Sequence, residues 1–194
     1  MGVLKMLNGV IVGLRAIESD DLEELLNWRN QSEYRRFFRE YRELNMESQK
    51  QWFETKVLGD EHTHMFSIIE LETMELIGAC GLCYIDWQNR CADFSLYIGK
   101  DHLYIDSKYA VDAARVMINY GFHELNLHRL WSEIYEIDEK KKEMFRTLGF
   151  VHEAIHKSTH WTDGKWIDSW YYRLLSEEWN LNNIIDSSIN YKNI

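Results

Sequence analysis

Residues 10 to 17, VIVGLRAI, are apolar at most positions and stop before the acidic run ESDD, the pattern of a short buried strand leading into a helix. Ser19 or Asp20 is placed to cap that helix, and Glu23 and Glu24 suit the positive end of its dipole. Leu22, Leu25 and Leu26 share one helical face, which Trp28 extends. The segment RNQSEYRRFFREYRELN mixes charge with aromatics and fits either a short helix or a loop. Helical spacing returns from Met46 to Leu58, with Trp52 and Phe53 as apolar anchors.

The pattern then becomes strand-like. MFSIIEL (65–71), ELIGACGLCYI (75–85) and CADFSLYIG (91–99) are apolar runs joined by short polar turns, which predicts an antiparallel meander. From Ala110 to Leu125 an alanine-rich amphipathic helix is expected, followed by a strand at 128–137, HRLWSEIYEI. Asp138 to Leu148 reads as a helix with Met144, Phe145 and Leu148 on one face and Gly149 just past its end. Strands at Phe150 to Ile155 and at 168–175 complete the pattern, and Asp163-Gly164 between them is a hairpin signal. The succession β-α-α-βββ-α-β-α-ββ requires a crossover inside a mixed sheet. Residues 1–179 read as one domain and 180–194, rich in Asn, Ile and Ser, as a C-terminal tail; no internal repeat or linker is evident.

Composition narrows the function classes. The 194 residues carry 45% hydrophobic and 28% charged positions, as a globular domain does, and include 8 Trp and 11 Tyr, which favour a packed core and a deep groove. Proline is absent, so turns rest on Gly, Asn and Asp. A net charge of -10 argues against a broad nucleic-acid-binding face; it suits solubility and is compatible with a cationic amine. No run of apolar residues is long enough for a membrane span, and the N-terminus reads as a tail entering a strand, so a cytoplasmic location is expected. Cys80 and Cys83 form a C-x-x-C, but residues three apart on a strand point to opposite faces, which favours buried thiols over a metal or redox pair. His62 and His64, beside Asp60 and Glu61, read as a solvated loop, and no metal site is expected.

Four phrases, LRAIESDDLEELLNWRN, YGFHELNLHRLWSEI, MFRTLGFVHEA and TDGKWIDSWYYRLLSEEW, stand in order and in register. Together with the element order they resemble the GNAT (Gcn5-related) N-acetyltransferases over roughly residues 10 to 179. The branch resembled holds ribosomal-protein alanine, spermidine and flagellar amino-sugar acetyltransferases. The resemblance implies an α+β fold, a mixed and mostly antiparallel sheet flanked by helices, and acetyl-CoA as co-substrate. Its pantetheine would pair with backbone at Leu96, Tyr97 and Ile98, on the family's splayed fourth strand. Its diphosphate would sit on the turn that opens the long helix, where unpaired N–H groups favour an anion.

In relatives that turn reads Q/R-x-x-G-x-G/A; here it is Ile105, Asp106, Ser107, Lys108, Tyr109 and Ala110, of which only Ala110 fits. Two readings follow. Lys108 and Ser107 could rebuild the phosphate site with an ammonium and a hydroxyl, or the segment is a helix N-terminus with a Ser or Asp cap. In the next helix Asp138 takes the place of a family Asn, and Phe145 that of the Tyr proposed as general acid. A phenyl ring has no proton to give, but a thiolate leaves readily, with a thiol pKa of about 8.5. Asp93 stands where relatives carry a Glu and is a candidate general base, with a surface carboxylate as the plain alternative. Tyr135 and Glu136 are fallback proton-transfer groups, on position alone.

Transfer would proceed directly in a ternary complex, without a cysteine nucleophile. The acceptor would be a small-molecule or peptide primary amine: a protein N-terminus, a polyamine or an amino sugar. The stretch Glu33 to Trp52 would line its groove, where Arg35, Arg36, Arg39 and Arg42 could instead meet a phosphate-bearing acceptor. Neither a nucleic acid nor a membrane is expected as partner, and a homodimer is admissible. The alternative function is a catalytically impaired GNAT-like protein that binds a ligand or partner.

Overall fold

The computed structural model describes residues 6–181. Eight strands form one sheet: β1 (Leu7–Asn8), β2 (Val12–Ala16), β3 (His64–Glu70), β4 (Leu76–Asp86), β5 (Cys91–Ile98), β6 (Arg129–Tyr135), β7 (Val151–Thr162) and β8 (Lys165–Leu175). Their spatial order is β1-β2-β3-β4-β5-β6-β8-β7, antiparallel throughout except where β5 meets β6. The helices are α1 (Leu22–Asn30), α2 (Ser32–Arg35), α3 (Met46–Trp52, continued by a π-helical turn to Leu58), α4 (Tyr109–Asn119) and α5 (Glu139–Thr147).

The expected element order is present, and an added two-residue β1 makes the family's fourth strand the fifth here. The first helix begins differently from the sequence expectation. A short 3-10 turn, Ser19–Asp21, precedes α1, and the capping contact comes from Asp21, whose carboxylate accepts from the Glu18 N–H at 2.9 Å. Asp21 is buried because Arg15 holds both its oxygens, at 2.6 and 2.7 Å, and Ser67 donates to it at 2.7 Å. The last hairpin is also longer than its apolar pattern suggested, since exposed polar residues continue β7 to Thr162.

Each layer follows from strand alternation. On β5, Phe94 meets Phe145 of α5 and Tyr97 meets Trp28 of α1; these two residues, three apart, face opposite sides of the sheet. β4 is covered on both faces, which is why its sequence is a continuous apolar run. Gly149 takes φ 81° after α5, with the Phe150 N–H on the Phe145 carbonyl and the Gly149 N–H on the Arg146 carbonyl, a Schellman cap. Asp163 and Gly164 both have positive φ, as a two-residue hairpin turn demands. Trp179 is buried and donates to Asn119 at 2.8 Å; of the expected tail, 180–194, the part from 182 onward lies outside the described residues. Among the described residues no helix is long and apolar enough to cross a membrane.

Candidate active site

β5 and β6 run parallel and pair only from Cys91 to Asp93, opposite Arg129 to Trp131, and then part. The Phe94 carbonyl accepts from Ser132 Oγ at 3.0 Å, and Ile98 exchanges both backbone bonds with Tyr104, at 2.7 and 2.9 Å. By alternation, the backbone groups of Phe94, Leu96 and Ile98 face the gap between the two strands. Of the three residues assigned to pantetheine, Leu96 alone offers main-chain groups there: Tyr97 is turned to β4, and those of Ile98 are taken by Tyr104.

The loop from Gly99 to Lys108 closes this gap. Asp101, His102 and Tyr104 sit in the left-handed region at φ 52°, 55° and 59°, which costs non-glycine residues energy. Tyr104 is 3% exposed, stacks on Phe37 at 4.6 Å and reaches Asp138 with its hydroxyl at 2.6 Å. Asp138 caps α5, accepting from the Lys141 N–H at 3.0 Å, and burial raises its pKa against the pull of Lys141. Nothing periodic marks Tyr104 in the sequence.

The α4 N-terminus is equally self-contained. The N–H groups of Lys108, Tyr109 and Ala110 all donate to the Asp106 carboxylate, at 3.0, 3.0 and 2.7 Å, so the Asp-cap reading describes this turn. Ile105 is core, Ala110 is buried, and Ser107 is exposed. The Lys108 ammonium lies 4.6 Å from the Tyr109 ring centre, and the Tyr109 hydroxyl donates to Glu70, which also binds Lys100.

Asp93 is the last β5 residue paired to β6 and is 5% exposed. Burial lifts its pKa to about 6, opposed by Arg39, whose Nη1 donates to it at 2.7 Å. Arg39 Nε also reaches Glu133 at 3.3 Å, and the guanidinium lies 5.7 Å from the Tyr84 ring and 5.8 Å from that of Trp131. A cation is thus held by two carboxylates and two aromatic faces. The neighbouring arginines are occupied as well: Arg35 by Glu43, Arg36 by Asp163 and Arg42 by Glu40. This pairing counts against their serving a phosphate-bearing acceptor.

Tyr135 stacks on His160 at 3.7 Å, and burial pushes its phenol up to about 12, a poor proton donor near neutrality. The Glu136 carbonyl accepts from Lys142 at 2.6 Å. Phe145 is fully buried against Phe94, Phe150 and Tyr172. Cys80 is core, and burial raises the Cys83 thiol to about 12, so neither is a ready nucleophile. His62 and His64 turn to different partners, the Ile85 carbonyl and the Tyr120 hydroxyl, and the described residues hold no cluster of three or more metal-binding side chains.

A sheet that parts between two parallel strands, with a buried carboxylate at the fork and a helix N-terminus beside it, suits acyl transfer from a strand-like donor. The GNAT acetyltransferase domain profile matches residues 12–151. The chain belongs to the GNAT acetyltransferases. This GNAT chain is 32% identical over 114 residues to the N-acetyltransferase p20 of Bacillus licheniformis, an alignment covering 59% of the chain and 63% of that relative, less than two thirds of its length. It is 29% identical over 147 residues to the spermidine N(1)-acetyltransferase of Escherichia coli K12, over 74% of each chain. In solved structures its fold is similar to a spermidine N-acetyltransferase of Vibrio cholerae, crystallised with CoA and spermine, at a TM-score of 0.79 and 22% identity over 87% of this chain and 97% of that one.

Proposed function

We propose that this protein transfers an acetyl group from acetyl-CoA to a primary amine by direct attack in a ternary complex, with Asp93 as general base. The observation that carries the reading is Asp93 itself: a buried carboxylate at the fork of β5 and β6, with a pKa of about 6. That value suits a base working near neutral pH. The amine nitrogen would attack the thioester carbonyl carbon while Asp93 takes its proton, directly or through water, and the C–S bond would break to release a thiolate.

The acceptor class we favour is a polyamine. Arg39 supports this choice: its cation is held between Asp93 and Glu133 and flanked by Tyr84 and Trp131. An acceptor ammonium can compete for the same carboxylates. The relatives named for spermidine support this choice.

The donor side fits acetyl-CoA by its donor set. Leu96 presents backbone groups to the gap, and the first N–H groups of α4 already hold an anionic carboxylate. Lys108 would add charge beside the diphosphate. Tyr104 and Asp106 stand in that space, so donor entry needs the 99–108 loop to shift. The same filling favours the second reading, a ligand-binding protein without turnover. Thermal stability with acetyl-CoA, followed by CoA release with spermidine, an alanine-ended peptide and an amino sugar, separates the two. Stabilisation with release supports transfer, stabilisation without release supports the second reading, and no stabilisation removes acetyl-CoA as donor.

A further inference from the structure

Lys141 stands in a run of three lysines that reads as a solvated helix face, yet it is 7% exposed. Residues 138, 141, 145 and 148 lie on one face of α5, so Lys141 rises one turn before Phe145, on the side facing the sheet. Its backbone N–H caps onto Asp138, the residue that receives the Tyr104 hydroxyl across the gap. The charged groups acting on its ammonium come from three elements: Asp138 at the start of α5, Asp93 on β5, and Arg39 on the segment between α2 and α3. Among the described residues the ammonium makes no hydrogen bond, whereas its neighbours Lys140 and Lys142 are bonded to the Leu103 and Glu136 carbonyls. A lysine enclosed to this degree, whose ammonium keeps some solvent contact yet forms no hydrogen bond or ion pair among the described residues, is a costly arrangement if its only role is packing.

We propose that Lys141 is the proton donor to the departing CoA thiolate, the role that Phe145 cannot fill. The proposal rests on the acetyl-transfer reading. The acceptor ammonium first loses one proton to water. Its nitrogen then forms the bond to the acetyl carbon and gives its second proton to Asp93. The C–S electron pair leaves with sulfur and takes a proton from Lys141, leaving a neutral amine. Asp93 returns its proton to Lys141 through solvent, so charge and protons balance over the cycle. Burial lowers the Lys141 pKa, Asp138 and Asp93 oppose that, and Arg39 adds to it. The net lowering moves the ammonium toward the acidity of a thiol, which is what proton transfer to sulfur requires.

The test compares the parent with Lys141→Met and Lys141→Arg. For Lys141→Met, kcat should fall about 100-fold, with the KM for acetyl-CoA held within about threefold. The parent's alkaline limb, set by loss of the Lys141 proton, should disappear. Independently of turnover, the ultraviolet absorbance of bound CoA should show its thiol ionising at higher pH in Lys141→Met than in the parent. Lys141→Arg keeps the charge but holds its proton too tightly, so it should preserve the thiol ionisation without restoring kcat. If Lys141→Met does not fold, Lys141→Arg carries the test. Unchanged kcat in a folded variant, or an unchanged alkaline limb, overturns the lysine's role while leaving acetyl transfer standing. A parent that acetylates no amine overturns both.

Discussion

The two halves of the cleft are filled by the protein's own side chains, with opposite charge. On the acceptor side the Arg39 cation sits between Asp93 and Glu133. On the donor side the Asp106 carboxylate occupies the helix N–H groups and the Tyr104 ring closes the gap. The supports differ. Asp93 and Glu133 stand on paired strands, so the acceptor carboxylates are fixed by backbone ladders. Tyr104 and Asp106 stand on a loop with three left-handed non-glycine residues, which stores strain. On the proposed reading, the acceptor side would exchange one cation for another on a fixed frame, whereas the donor side would have to rearrange before it binds.

The largest test of this contrast is Asp93→Asn. It should lower turnover on the order of 100- to 10,000-fold while acetyl-CoA affinity stays unchanged, measured by steady-state kinetics and calorimetry. Unaltered turnover would remove the base. Tyr104→Phe keeps the ring but deletes the bond to Asp138, and a hydrogen bond to a charged group contributes about 1.5–3 kcal/mol. The closed loop should weaken, and acetyl-CoA should bind about tenfold more tightly because more molecules are open to it. Weaker binding would mean that Tyr104 helps to hold the donor rather than exclude it.

Lys108→Ala should reduce CoA affinity by about threefold at low salt and less at high salt, as expected for an exposed charge. Equal affinity at both salts would exclude Lys108 from the diphosphate. The finest test is Arg39→Gln. Arg39 holds the Asp93 pKa below the value that burial alone would set, so its loss should move the acidic limb of the pH profile upward. A limb that stays in place would separate Asp93 from the pH dependence.

How much of this was legible in the sequence depends on what generates periodicity. The meander, the long α4 and the α5 cap at Gly149 were readable because burial imposes spacings of two or 3.6, and one turn chemistry ends the helix. β1 escaped because two residues carry no period; that corner is tied down by Asp112, which accepts backbone bonds from Val10, Ile11 and Val12. Asp93 and Asp138 could be singled out because the resemblance aligns them with a Glu and an Asn of relatives. Tyr104 could not, since its burial depends on a loop fold that no local pattern encodes. Lys141 was hidden by its neighbours, although helical spacing puts it on the face of Asp138 and Phe145. The arginines of residues 35 to 42 were visible as charge, but the partners of Arg36 and Arg39 lie in distant parts of the chain, Asp163 for the first and Asp93 and Glu133 for the second.

The central claim, acetyl transfer driven by a buried base at the strand fork, is tested most directly by the pH dependence of acetyl transfer from acetyl-CoA to spermidine. Asp93 is active as a base when ionised, and its pKa is raised to about 6, so the rate should be lost as pH falls through about 6. That limb should be absent in the residual activity of Asp93→Asn. No transfer at any pH, or an acidic limb that persists unchanged in Asp93→Asn, would contradict the account.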